Sequence, residues 1–144
     1  MSPGTQPTSM ELHRLDLALV ERGDFDWILD HWRRPEVRQW LWDDRELDRE
    51  EFEAIVASFL DRSAWRTRQL WVARLRRTGH RVGVFGYYEG TSRVGTEVCF
   101  SLEPLHWHRQ LAHEAMAAVV GWYFANTGGE ALWGVVDAGN HRSV

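Results

Sequence analysis

Between Arg93 and Leu102 the sequence alternates without a break: Val94, Thr96, Val98, Phe100 and Leu102 fall on one side, Gly95, Glu97, Cys99 and Ser101 on the other. Alternation at period two predicts a β-strand. Pro104 ends it, because proline cannot extend a ladder. The period then changes. From about Arg109, the residues Leu111, Ala115, Ala118, Val119, Trp122 and Tyr123 recur at helical spacing, until Asn126 to Gly129 stop the run. Ala131 to Val136 reads as a further strand, and Gly139-Asn140 as the start of another helix.

The upstream half supplies the rest of a sheet and its cover. Glu11 to Leu19 reads as a first strand, preceded by a polar, flexible tail over residues 1–10. Gly23-Asp24 can start a helix carrying Phe25, Trp27, Ile28, Leu29 and Trp32. Pro35 interrupts it and suits the first turn of a second piece with Val37, Trp40 and Leu41. Trp42 to Leu47 forms an acidic loop. Asp48 followed by Glu51 resembles a capping box, and Phe52, Ile55, Val56, Phe59 and Leu60 continue at helical spacing, which predicts an amphipathic helix lying on a sheet. Leu70 to Arg76 and Arg81 to Tyr88 read as a hairpin about Thr78-Gly79, with Arg74, Arg76, Arg77 and Arg81 near its tip. The expected fold class is α/β, a mixed sheet with helices on both faces, in one domain over residues 11–144.

Composition narrows the function. The chain has 144 residues, long enough to bury a core without staples. A formal net charge of -4 argues against nucleic acid or an anionic membrane as partner, since both attract a basic face. All 17 basic residues are arginine, so no lysine is present for Schiff-base chemistry, and a phosphate contact must come from a guanidinium or from backbone amides. Cys99, the only cysteine, excludes an internal disulfide and a cysteine-based zinc site. His106, His108 and His113 match no standard metal-ligand spacing, so no metal is expected. The polar start lacks the apolar stretch of a signal peptide, which makes the cytoplasm the simplest location.

A strand ending EVCFSLEP, the loop LHW, a helix beginning HRQLAHEA, the strand ALWGVV and then DAGNHRSV together resemble the core of the GCN5-related N-acetyltransferase superfamily, in its RimJ/RimL-like branch. Glu97, Leu102, Pro104, Trp107, Ala112, Glu114 and Ala115 fall on matching positions, RRPEVRQWL resembles the end of the branch's first helix, and WVARLRRTGHRVGVFGYYE resembles its central hairpin. Asn140 and Ser143 match the N-x-x-S opening the helix after the fifth core strand.

The resemblance implies an acyl-CoA N-acyltransferase fold, C-terminally incomplete, that transfers the acetyl group of acetyl-CoA to a primary amine, either a protein N-terminus or a small cationic amine. It also implies that Phe100, Ser101 and Leu102 meet the cofactor arm, that Arg109, Gln110, Leu111 and Ala112 offer amides to its pyrophosphate, and that Asn140 and Ser143 complete this site. Glu97 is the candidate base or water-orienting group, the alternative being a strand glutamate paired with an arginine. Asn140 either bonds the cofactor arm or caps the last helix. Trp40, Trp42, Asp43 and Asp44 border the acceptor site, the acidic residues either attracting a cation or lying solvated. His108 and Gln110 stand where the family has glycine. In many relatives a Tyr or Ser that protonates the leaving thiolate lies beyond the point this sequence reaches. A noncatalytic acyl-CoA-binding or protein-interaction module of the same fold is the competing reading, and an open sheet edge allows a homodimer.

Overall fold

Apolar residues at both parities of the central strands require cover on both sheet faces, and the architecture supplies it. The structure, a computed structural model, describes residues 9–39, 41, 44–89 and 95–134. Strands β1 (Ser9–Glu11), β2 (Leu15–Leu19), β3 (Arg68–Leu75), β4 (Arg81–Glu89) and β5 (Thr96–Leu102) form one sheet in chain order. Every neighbouring pair is antiparallel. The sheet becomes mixed at its far edge, where Glu97 makes a parallel bridge with Trp133. The expectations at Trp40, Trp42, Asp43, Val94, Val135, Val136, Asn140 and Ser143 lie outside the described residues.

The start differs from the expectation of a tail followed by one strand. Ser9 pairs with Ala18 and Met10 with Leu17, so strand pairing begins inside residues 1–10. Met10 and Leu12 lean on the apolar cluster beneath the sheet, which gives this mostly polar segment a reason to pair.

Helix α1 (Phe25–Arg33) starts at Asp24, a buried carboxylate that accepts from the Glu21 N–H at 2.9 Å, from Arg81 Nε at 2.9 Å and from Arg74 Nη2 at 3.1 Å. Two of the hairpin arginines therefore anchor the helix rather than stand free. Helix α2 (Pro35–Arg38) carries proline in its first turn, where a missing N–H costs nothing. Helix α3 (Arg49–Ala57) is capped as its sequence predicts, the Asp48 carboxylate accepting from the Glu51 N–H at 2.8 Å. Its expected last turn is a 3-10 turn over Ser58–Leu60. Helix α4 (Leu111–Asn126) is the longest.

These helices divide the core. On one face Leu111, Ala115, Val119, Trp122 and Tyr123 of α4 pack on Leu15, Leu17, Trp71, Phe85 and Tyr87. On the other, Ile28, Leu29, Phe52 and Val56 of α1 and α3 pack on Leu70, Val72 and Val84. The side chains of β5 share themselves out accordingly, Phe100 and Leu102 toward α4 and Cys99 toward α1 and α3.

Gly86 of β4 lets β3 approach closely. A Cβ there would sit 2.1 Å from the Gln69 carbonyl oxygen and 3.0 Å from the Leu70 Cα, both backbone atoms that a ladder holds in place. Gly86→Ala is expected to destabilise the protein by about 3 kcal/mol through overpacking, measured from urea unfolding midpoints.

Candidate active site

In a strand, successive backbone groups point to opposite edges, so the bonds of one residue settle the direction of the rest. The Val98 N–H donates to the Trp133 carbonyl at 2.8 Å, and the Trp133 N–H donates to the Thr96 carbonyl at 3.0 Å. Even-numbered residues of β5 therefore face away from β4. Past Trp133, among the described residues, nothing pairs with that edge. The N–H and C=O of Phe100 and the N–H of Leu102 open to it, while the Leu102 carbonyl accepts from Trp107 Nε1 at 2.8 Å. Ser101, expected to meet the cofactor arm between Phe100 and Leu102, turns its backbone the other way, toward Val84 of β4.

Glu97 occupies the start of this edge. It is buried, stands directly across the ladder from Tyr88, and shares its sheet face with Cys99 and Ser101. None of the ion pairs among the described residues includes it. Burial first, and then the Glu97 carboxylate, push the Tyr88 phenol above its ordinary value, so it stays protonated beside Glu97. The same two causes push the Cys99 thiol up to about 12, which leaves it a neutral thiol and a poor nucleophile at neutral pH. Tyr88 was missed in the sequence because nothing local marks a cross-strand partner.

The chain leaves β5 through a 3-10 turn at Pro104–His106 and enters α4 by a sharply bent loop. His108 has φ of 65° and Gln110 φ of 64°, the left-handed conformation for which the family uses glycine. Gln110 is the N-cap of α4, so the N–H groups of Leu111 and Ala112 lack acceptors within the helix and face the loop at the positive end of its dipole. The loop between the two strained residues is held from behind. Arg14 donates through Nη1 to the Arg109 carbonyl at 2.7 Å and through Nε to Glu114 Oε1 at 2.9 Å. Its own N–H reaches Glu114 Oε2 at 2.8 Å. Burial would raise the Glu114 carboxyl, but these bonds from Arg14 outweigh it and hold it below its ordinary value. Burial, followed by the Arg109 charge, lowers His106, so the positive charge near the loop comes from arginine.

A second group joins α1 to the end of β5. His31 is buried with both ring nitrogens engaged, Nδ1 with Glu103 Oε2 at 2.5 Å and Nε2 with the Ser101 hydroxyl at 2.8 Å. Trp32 Nε1 donates to the same Ser101 oxygen at 3.0 Å, and Arg34 Nε lies 2.8 Å from Glu103 Oε1. Burial raises the Glu103 carboxyl, but bonds and charges from His31 and Arg34 prevail and hold it below its ordinary value. In the acidic loop, Asp44 is exposed with φ of 58°, and Arg38 balances it and Glu46 at 3.4 Å each.

A carboxyl lowered in the folded state stabilises the fold above the unfolded carboxylate pKa and loses that contribution as pH falls through the folded value. Stability is therefore expected to fall between about pH 5 and pH 2 more steeply in the wild type than in Glu103→Gln, followed by urea titration at each pH. Each left-handed non-glycine residue costs about 1 kcal/mol, so His108→Gly and Gln110→Gly are each expected to raise the melting temperature, checked by calorimetry.

The described residues contain no helix long and apolar enough to cross a membrane. Among curated proteins, none matches this sequence. An acetyltransferase from Agrobacterium tumefaciens superposes with a TM-score of 0.81 at 21% identity, over 96% of this chain and 79% of that one. The ribosomal-protein-S5-alanine acetyltransferase from Vibrio fischeri gives 0.75 at 14% identity, over 95% and 78%. The spermidine N-acetyltransferase from Vibrio cholerae, solved with CoA and spermine, gives 0.73 at 15% identity, over 90% and 75%. At these identities the likeness is one of fold. Residues 14–144 match the acetyltransferase (GNAT) domain, so the chain belongs to that family.

Proposed function

We propose that this chain is an N-acetyltransferase of the RimJ/RimL-like branch, which moves the acetyl group of acetyl-CoA to the primary amine of a protein N-terminus or a small cationic molecule. The observation that carries the reading is the outer edge of β5, unpaired past Trp133 among the described residues, with the Phe100 and Leu102 amides directed toward it, running directly into the bent loop and the N-terminus of α4. An extended amide-bearing arm ending in a diphosphate fits such a surface: strand-edge bonding along the arm, backbone N–H groups and a helix dipole for the charge. The amides of Arg109, Gln110, Leu111 and Ala112 and the Arg109 guanidinium would hold the diphosphate, with Asn140 and Ser143 completing the arm's site. The acceptor would lie against Trp40, Trp42, Asp43 and Asp44. The Vibrio fischeri and Vibrio cholerae relatives, named for a protein alanine and for spermidine, support both acceptor classes.

Acetyl-CoA would supply the thioester: its C–S bond breaks as the amide N–C bond forms, and CoA leaves with its sulfur taking up the proton that the acylated nitrogen sheds. The residues of this chain govern the rest. An alkylamine has a pKa of about 10.4, so it must lose a proton before attack. Glu97, buried at the start of the open edge, takes that proton directly or through a water. The protonated Tyr88 beside it keeps the carboxylate oriented. The Phe100 N–H, first past the bridge to Trp133, donates to the carbonyl oxygen as negative charge grows there. The reading includes a cytoplasmic location and a homodimer.

Acetyl-CoA is expected to bind saturably in a calorimetric titration. Glu97→Gln is expected to keep that affinity and to lower kcat/KM for the amine by about 100-fold, measured as CoA release at neutral pH. A folded protein that binds acetyl-CoA yet turns over no amine would favour the noncatalytic module. No binding at all by a folded protein would remove the enzyme reading and leave a protein-interaction module of the same fold.

A further inference from the structure

We propose that His31, acting through the Ser101 hydroxyl, is a positioning residue that sets the orientation of the Phe100 and Leu102 amides on the open edge of β5. The inference rests on the acetyltransferase reading for its kinetic consequence, though not for its structural one.

Among the described residues, the end of β5 has a ladder on one side only. From Phe100 to Leu102 its outer backbone groups meet no strand among the described residues, so β4 is the one described ladder that orients them. A ligand that pairs with that edge needs its N–H groups already aimed, because reorienting them on binding would cost affinity and rate. Ser101 is the residue between the two amides concerned, and its side chain is the one polar handle on this stretch that reaches the α1 face. Two groups of α1 hold the hydroxyl. Trp32 Nε1 can only donate, so Ser101 Oγ accepts from it, and His31 Nε2 holds the same oxygen at 2.8 Å while Nδ1–H donates to the Glu103 carboxylate. The Trp27 ring stacks on His31 with centroids 4.9 Å apart and planes 21° from parallel, fixing the imidazole plane. Helix α1 thus grips the strand at Ser101, between the two cleft amides, and again at Glu103, where the chain leaves for α4.

If this network served stability alone, an apolar contact would do as well, since buried polar networks seldom gain over good packing. What hydrogen bonds add is direction. Two bonds converging on Ser101 Oγ from α1 restrict rotation of the Ser101 residue, and with it the flanking peptide planes.

Two substitutions separate the grips. An asparagine amide reaches about the place of an imidazole Nδ1 and a glutamine amide about that of Nε2, so His31→Asn keeps the bond to Glu103 and His31→Gln keeps the bond to Ser101. The free variants are compared by urea stability and by the NMR amide resonances of Phe100 and Leu102, then by KM for acetyl-CoA. Both variants are expected to lose stability. His31→Asn should also move both resonances and raise KM for acetyl-CoA about ten-fold, with kcat less affected, while His31→Gln stays near wild type in both. Ser101→Ala, which leaves the His31–Glu103 pair intact, should raise KM like His31→Asn. Equal behaviour of the asparagine and glutamine variants in resonances and KM, or wild-type KM in Ser101→Ala, would overturn the proposal. A wild type that turns over no amine would sink the acetyltransferase reading, and the resonances would still decide whether His31 aims the amides.

Discussion

The arrangement of this protein depends on a strand that is paired on one side and released on the other. The bridge between Glu97 and Trp133 ties β5 to its outer neighbour, and beyond it nothing among the described residues pairs with the same edge. Unpaired backbone groups inside a fold are costly, so an open edge next to a packed core implies a ligand or solvent that satisfies them. Everything nearby serves to keep that edge in place: β4 on the inner side, α4 against Phe100 and Leu102, α1 against Ser101. Full cover of both faces explains why Glu97 and Ser101, the polar side of an alternating strand, are buried.

Charge is arranged to suit the same surface. Glu114 lies in the first turn of α4, where a carboxylate would compete with an incoming anion, and Arg14 neutralises it while also gripping the Arg109 carbonyl. The loop therefore presents amides and the Arg109 guanidinium rather than a carboxylate. Lowering of His106 by burial and by Arg109 leaves that cation to arginine, whose charge does not titrate near neutrality.

Strain is concentrated in the same place. His108 and Gln110 adopt the backbone geometry that glycine would take without cost, which shows that the loop shape is imposed by its anchors and not by local preference. A turn held against its own propensity, between a proline-ended strand and a helix N-terminus, fits a binding surface better than a mere connection. The family glycines are absent here while the conformation they permit is kept.

Much of the fold could be read along the chain, because periodicity records which side of each element meets the core. The Asp48 cap, Pro35 at a helix start, the β3–β4 hairpin, the alternation of β5 and the apolar stripe of α4 are all local signals, and each appears in place. Glu97 and the loop leading to α4 were legible as candidate site residues for the same reason and through resemblance. The β1–β2 hairpin was not, since its first strand is three residues of mixed polarity. Nor were the partnerships of His31 with Ser101, Arg14 with Glu114 or Tyr88 with Glu97. These join residues up to 100 positions apart, and only packing brings them together. Sequence alone determined most of the elements, their faces and the family; the tertiary structure decided which strand edge stays unpaired among the described residues. That choice depends on which neighbour each hydrogen-bonding side of β5 finds, and alternating side chains carry no record of it.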